Sequence, residues 1–354
     1  MCIVEIEVPY ESTVSDGENV LWNSAFHHHD RINLSLPFAQ SLGLASQVLP
    51  YSMILFKTIS MAHVDEALNV LDLGYNNAIY VRPCFSGDTL RQIFTIKHLR
   101  NTSQSDATIV TVGCELYNQR QQLVFTCDKL MLYPKSTPEL RISAAPLTTP
   151  PKPRSPLLAH VLYHGETLPT TNFLAPLKRT QCILHSTARP LSQALNMQLS
   201  TLFRWTHPSI FSSSTPSHDV LVPGGLVIAS TLGASSRGFY EILYEHIDSC
   251  NLINRVSPVD IIGAISYVKS IKTLKEGFEE VNVITLGIKN IDIQRQLHDV
   301  RIPVELFTET FKPSQLESFL HNECPILEGQ IVTWIARTLV RQSPYTQKKN
   351  IPLL

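Results

Sequence analysis

Side chains of the right types for acid–base chemistry fall in three short clusters. The first is Phe26-His27-His28-His29-Asp30 with Asn33 just beyond, and the second is Trp205-Thr206-His207-Pro208. The third is the serine-rich run Ser212 to Ser217, which contains Ser213 and is closed by His218 and Asp219. An imidazole beside carboxyl or amide groups can hold a water, take up its proton near neutral pH, or ligate a metal. Adjacent histidines rarely converge on one ion, because alternate side chains of an extended segment point to opposite faces. A hydrogen-bonded loop or pocket edge is therefore the favoured reading of His27 to Asp30, and no metal is expected. His207 reads equally as a loop residue or a catalytic one, and the serine run as a flexible loop. Arg82 beside Pro83 is either a strand-end arginine or a ligand for a phosphate or carboxylate. No Gly-x-Ser-x-Gly elbow, P-loop or dinucleotide glycine fingerprint is present, so esterase, NTPase and Rossmann readings lack support.

The elements that must carry these residues occur twice. Gly74 to Leu90 reads as a strand that stops at Val81-Arg82-Pro83, turns through Gly87-Asp88 and resumes; Asn251 to Ile265 repeats this with Val256-Ser257-Pro258 and Gly263. Upstream of each corner a proline opens an apolar run, Pro50 to Phe56 and Pro223 to Ala229. The separations are similar, 33 residues from Pro50 to Pro83 and 35 from Pro223 to Pro258. Two copies of one supersecondary unit predict two copies of one fold.

In chain order, Cys2 to Val8 suits an edge strand and Glu11 to Asn19 a polar loop. Leu34 to Leu44 reads as a short helix closed by Gly43, and Pro50 to about Leu73 as a long buried helix. Thr89–Leu99, Thr108–Leu116 and Gln122–Leu132 then form an antiparallel meander. A helix followed by such strands buries its apolar surface by lying across the sheet. The proline-punctuated residues 134–158 read as a linker, which divides the chain into an N-terminal unit (1–133) and a C-terminal unit (159–310). In the second unit His160 to Phe173 and Gln181 to His185 read as strands or arms, and Gln193 to Phe203 as a helix. After the helix from Pro223, strands are expected at Ala264–Leu274, Val281–Ile288 and Arg301–Phe307, and the tail (311–354) carries an amphipathic helix at Ile326–Val340.

Composition sets outer limits. Lys+Arg 29 against Asp+Glu 30 gives a net charge of -1, without the clustered basic footprint that nucleic acid or an anionic membrane requires. The 7 cysteines are scattered, and no apolar leader or membrane-length run is read, so reduced thiols in a cytoplasmic protein are expected.

Leu73-Gly74-Tyr75, the run Tyr80-Val81-Arg82-Pro83-Cys84-Phe85-Ser86-Gly87-Asp88-Thr89-Leu90 and the later Leu116-Tyr117-Asn118-Gln119-Arg120 resemble the first half of MaoC-type double hot-dog hydratases. The nearest group is that of mesaconyl-CoA (2-methylfumaryl-CoA) hydratases. Val222-Pro223-Gly224-Gly225-Leu226 is similar to the start of the central helix in their second half, and the resemblance covers most of residues 20–133 and 195–307. It implies an α+β chain of two tandem hot-dog folds, each an antiparallel sheet wrapped round a central helix. It also implies water addition to, or loss from, an enoyl or 3-hydroxyacyl thioester carried on CoA or a carrier protein, without a cofactor. The Gly224 and Gly225 amides would hold the thioester oxygen, with Tyr75 and Arg82 as further substrate contacts.

The family's catalytic pair is an Asp or Asn five residues before a His. Counting back from Phe38-Ala39 places His28 where the acid belongs and Asn33 where the His belongs. In the second half an ungapped reading gives Trp205 and Ile210, and a gapped one gives Ser213 and His218 with Asp219 beyond. Three functions stay open: a hydro-lyase using His218 or His28; a thioesterase, biosynthetic dehydratase or isomerase on the same scaffold; and a non-catalytic acyl-binding module. The fused pair already supplies the two-fold partner, and a further homodimer is left open.

Overall fold

The computed structural model describes residues 5–8, 11–60, 71–102, 107–134, 155–165, 168, 176–205, 207, 220–275 and 277–344. The strands of the first half are β1 (Glu5–Glu7), β2 (Ser12–Thr13), β3 (Leu71–Tyr80), β4 (Thr89–Asn101), β5 (Ala107–Asn118) and β6 (Leu123–Pro134). Those of the second are β7 (Cys182–Leu184), β8 (Arg189–Pro190), β9 (Ile242–Leu252), β10 (Ile261–Lys275), β11 (Phe278–Lys289) and β12 (Ile331–Gln342). All join one antiparallel sheet whose main path runs β1-β4-β5-β6-β3-β9-β12-β11-β10-β7. Read outward from the centre, β3-β6-β5-β4 and β9-β12-β11-β10 follow the same order, first, fourth, third, second. The chain is two tandem hot-dog units, joined edge to edge through β3 and β9.

Each unit wraps a buried helix. The helices of the first half are α1 (Asp16–Phe26), α2 (Arg31–Leu34), α3 (Leu36–Ser41) and α4 (Tyr51–Ser60); then come α5 (Pro156–His164), α6 (Gln193–Leu202) and α7 (Gly224–Ser236). Every residue of α4 is buried, and in α7 only Gly224 and Ser230 are not. That all-round apolarity marks them as central helices. They pack on each other at Gly225, where a Cβ would lie 2.6 Å from the Phe56 ring. Gly225 is thus required by the helix crossing itself. Both corners also share one device: Asp88 accepts from the Phe85 amide at 2.9 Å, and Asp260 from the Ser257 amide at 2.8 Å. Gly263 lies inside β10 rather than in the second turn.

The junction between the units is a ladder pairing Gly74 with Asn251, Tyr75 with Cys250, Asn76 with Ser249, Ala78 with Ile247 and Ile79 with His246. At its bulge, where Asn77 has φ +50°, the β3 register with β6 skips from Asn76 to Ile79. The Tyr51 hydroxyl fills the gap, donating to the Ala78 carbonyl at 2.8 Å and accepting from the Ile247 amide at 3.1 Å. One side chain of the first central helix therefore satisfies a backbone group in each half.

Several expected elements differ. Ile326–Val340 is not a helix: β12 runs through it, and its nearly unbroken burial removes the two-residue alternation that marks a strand. Residues beyond 310 thus complete the second sheet. Arg301–Phe307 is not a strand but leads into a short helix, Glu305–Thr308. His160 sits on α5, which starts inside the expected linker, with the Ser155 hydroxyl accepting from the Leu158 amide. The helix from Pro50 is described to Ser60, and Leu71 already belongs to β3, so it does not reach Leu73; Val64, Ala67 and Leu68 lie outside the described residues. Glu11 to Asn19 is not all loop, because α1 begins at Asp16 behind the Ser15/Glu18 capping box.

Removing the Tyr51 hydroxyl strands one carbonyl and one amide in a dry junction. Tyr51→Phe is expected to cost about 1–3 kcal/mol, read as a lower urea midpoint with an unchanged circular-dichroism spectrum.

Candidate functional site

The polar side chains gather at the amino ends of the two central helices. Both helices start directly after a proline, whose carbonyl accepts from the third and fourth amides. Pro50 accepts from Met53 and Ile54 at 3.0 and 3.1 Å, and Pro223 from Leu226 and Val227 at 2.9 and 3.1 Å. The amides of Tyr51 and Ser52, and of Gly224 and Gly225, are left without intrahelical acceptors and carry the positive end of the helix dipole. Either pair is suited to an oxygen that gains negative charge.

At the first end, α1 and α2 deliver the side chains. The α1 helix ends at Phe26, His27 turns the chain with φ 52°, and His28 points inward, 8% exposed. Its Nε2 lies 2.9 Å from Ser52 Oγ, which also accepts from Trp22 Nε1 at 3.0 Å. Burial, with a smaller contribution from His29, pushes the His28 pKa down to about 4. The ring is neutral at physiological pH.

His28, Asp30, Asn33, Tyr51, Tyr244 and Glu245 line one cavity with Ile32, Val48, Leu49, Tyr80, Leu157, Ile242 and Leu243. It encloses about 30 Å³, room for about one or two waters. Asn33 donates to the Val48 carbonyl at 2.8 Å, which leaves its own carbonyl free to accept. Asp30 accepts from the Ile242 amide at 2.7 Å, yet burial holds its carboxyl well above the usual range. Burial also raises Glu245, against the opposing pull of Arg337, which donates to it at 3.0 Å. Arg31 is taken up by Glu241 through two guanidinium bonds of 2.8 and 2.7 Å.

The second end is built alike and filled differently. Here α6 is followed by Phe203, Arg204 turns the chain with φ 62°, and Trp205 points inward. Phe203-Arg204-Trp205 thus repeats Phe26-His27-His28, and Trp205 holds the place of His28. The indole stacks on Phe56 at 5.7 Å, and Lys129 Nζ lies 4.7 Å from the centre of the indole ring. Lys129 also meets Asp72 at 3.3 Å, and Asp72 accepts from the Tyr75 hydroxyl at 2.6 Å. A Cβ on Gly224 would lie 2.4 Å from Leu252 and 3.4 Å from that hydroxyl.

The structure therefore joins His28 with Asn33, and Gly224 with Tyr75. It leaves Arg82 apart: its guanidinium donates to the Leu123 carbonyl at 3.1 Å, at the end of β6. His207 is half-buried two residues past Trp205. Ile210, Ser213, His218 and Asp219 lie outside the described residues. Among the described residues no three His, Cys, Asp or Glu side chains converge as metal ligands, the cysteines are free, and no helix is long and apolar enough to cross a membrane. Sequence reading passed over Ser52, Tyr51 and Glu245. The first two belong to a helix whose apolarity masked them, and Glu245 reaches the cavity only through the β3–β9 junction.

No family model matches the chain. It is 29% identical to the mesaconyl-CoA hydratase of Cereibacter sphaeroides over 146 residues, which is 40% of this chain and 40% of that enzyme. Among solved structures it is similar to a MaoC domain protein dehydratase from Chloroflexus aurantiacus, at TM-score 0.74 and 20% identity over 97% of this chain and 95% of that one. It is also similar to Rv0216 of Mycobacterium tuberculosis, described as a double hot-dog fold, at TM-score 0.69 and 15% identity over 96% and 97%. These likenesses establish the double hot-dog fold.

A histidine held neutral by burial binds fewer protons folded than unfolded between its two pKa values. Its contribution to stability is complete above pH 6.5 and is lost as pH falls towards 4. Asp30 and Glu245, raised by the same burial, act in the opposite sense, so the His28 share is read as a difference: between pH 6.5 and pH 4 the wild type is expected to lose about 3 kcal/mol more than His28→Gln in a chemical-denaturation series.

Proposed function

We propose that the chain is a hydro-lyase that adds water to, or removes it from, an enoyl or 3-hydroxyacyl thioester, and that its working site is the cavity at the amino end of α4. The observation that carries this is the meeting of a buried neutral imidazole, His28, with Asn33 and the free first-turn amides of Tyr51 and Ser52. In the tautomer that carries the ring proton on Nε2, the one this reaction requires, the Nδ1 lone pair has no partner among the described residues. That nitrogen is the base.

Water held between His28 Nδ1 and the Asn33 carbonyl bonds to the β-carbon as its proton passes to the imidazole. The double-bond electrons shift onto the thioester, and the Tyr51 and Ser52 amides stabilise the charge on its oxygen. The imidazolium then returns the proton to the α-carbon, which completes the addition; the reverse sequence is dehydration. The similarity to a mesaconyl-CoA hydratase supports a thioester substrate and this reaction class. CoA or a carrier protein would supply the thioester; the mesaconyl group named for that relative carries a second carboxylate, and the lining of the cavity decides whether such a group fits here. In the second site, an indole at the position of His28 has no lone pair to offer as a base.

His28→Gln, which keeps a hydrogen bond to Ser52, is expected to lower kcat for crotonyl-CoA hydration at least ~100-fold, with the fold intact by circular dichroism. The acid limb of the wild-type kcat/KM profile should fall near pH 4 rather than near 6.5. If His218→Ala abolishes turnover while His28→Gln does not, the work is done at the second helix. Release of free thiol without hydration would point to a thioesterase.

A further inference from the structure

Resting on the hydro-lyase reading, we infer that the cavity accepts acyl groups without a second carboxylate, and that Glu245, clamped by Arg337, is the side chain that excludes the dicarboxylic class. A mesaconyl thioester keeps one free carboxylate at the far end of a short unsaturated chain, whereas a crotonyl thioester ends there in a methyl group. Either one, held with its carbonyl oxygen at the Tyr51 and Ser52 amides, points its tail at the space between α2 and β9, where about 30 Å³ is free, about the size of one terminal methyl group and too little for a carboxylate with its water.

The residues facing that space decide which tail fits. Its apolar walls are Ile32, Val48, Leu49, Leu157, Ile242 and Leu243, and its acidic groups are Asp30 and Glu245. No lysine or arginine lines it among the described residues. The guanidinium groups of Arg31 and Arg337, next to this lining, are already engaged. Arg31 is gripped by Glu241 at 2.7 Å, and Arg337 bonds both Glu245 at 3.0 Å and the Ser235 hydroxyl at 2.6 Å. A carboxylate entering this space loses its hydration, finds no free cation and meets two carboxyl groups. A methyl group meets aliphatic side chains and gains by leaving water.

Glu245 is the pivot because it stands between the cavity and Arg337. With a neutral amide in its place, the guanidinium beyond keeps its charge and becomes the missing counter-ion. That exchange converts a rejecting wall into an attracting one without altering His28, Asn33 or the α4 amides. Discrimination here comes from leaving the wrong ligand's carboxylate without a counter-ion rather than from contacts added for the right one.

The test compares kcat/KM of the wild-type chain for crotonyl-CoA and mesaconyl-CoA, followed by loss of enoyl-thioester absorbance. The expected preference for crotonyl-CoA is at least ~100-fold. Glu245→Gln is expected to shift the ratio at least ~10-fold towards mesaconyl-CoA, whatever it does to the absolute rates. Equal or better turnover of mesaconyl-CoA by the wild type overturns the inference and leaves the hydro-lyase reading intact. An unshifted ratio in Glu245→Gln removes Glu245 from the role. If neither thioester is hydrated nor its 3-hydroxy product dehydrated, the hydro-lyase reading fails and this inference falls with it.

Discussion

The β3–β9 ladder is the constraint on which the molecule rests. Each half alone ends in a strand with an unpaired edge, and pairing those edges removes both. The ladder is incomplete at the β3 bulge, and the Tyr51 hydroxyl completes it by bonding Ala78 and Ile247 at once. Because Tyr51 is the first residue of α4, the same contact sets the height of that helix's amino end against β9. Ile242 to Glu245 are thereby carried to within reach of His28, and neither half could build the cavity by itself.

Burial then sets the chemistry. A solvent-facing imidazole is partly charged near neutrality, but His28 is closed in by Trp22, Ser52 and the cavity wall and stays neutral. The same dryness holds Asp30 and Glu245 above their ordinary range and makes a partner for the fully buried Arg337 guanidinium necessary, while Arg31, partly open to solvent, supplies the partner that buried Glu241 needs. The two helix ends diverge at one position of the repeat. A ring with a lone pair occupies it in the first half, and a ring under the Lys129 ammonium occupies it in the second.

Much of this is legible from residue order, for identifiable reasons. The two Pro-opened helices, the corners after Val81-Arg82-Pro83 and Val256-Ser257-Pro258, and the meander β4–β6 announce themselves because turn chemistry and alternation are local signals; that Asp260 rather than Gly263 closes the second corner does not. The pairing of His28 with Asn33 follows from counting along the chain. What escaped was set by distant contacts. The strand β12 is covered on both faces and so lacks the alternation of an edge strand. The α1 helix hid behind a polar stretch although Ser15-Asp16-Gly17-Glu18 spells a capping box, and this signal was available. Glu245 gives no sign of facing His28, because their meeting depends on how two sheets join.

The placement of β12 bears on how the polypeptide matures. In the first half, β6 follows β5 after a tight turn, so that unit can close as soon as it is synthesised. In the second, β11 is followed by a long excursion through residues 290–330 before the chain returns to insert β12 between β9 and β11. Until that insertion, β9 has β3 on one flank and nothing on the other, and Arg337 cannot reach Glu245. A nascent chain on the ribosome therefore carries a closed amino-terminal unit beside a gaping second sheet, and the cavity between His28 and Glu245 is assembled last.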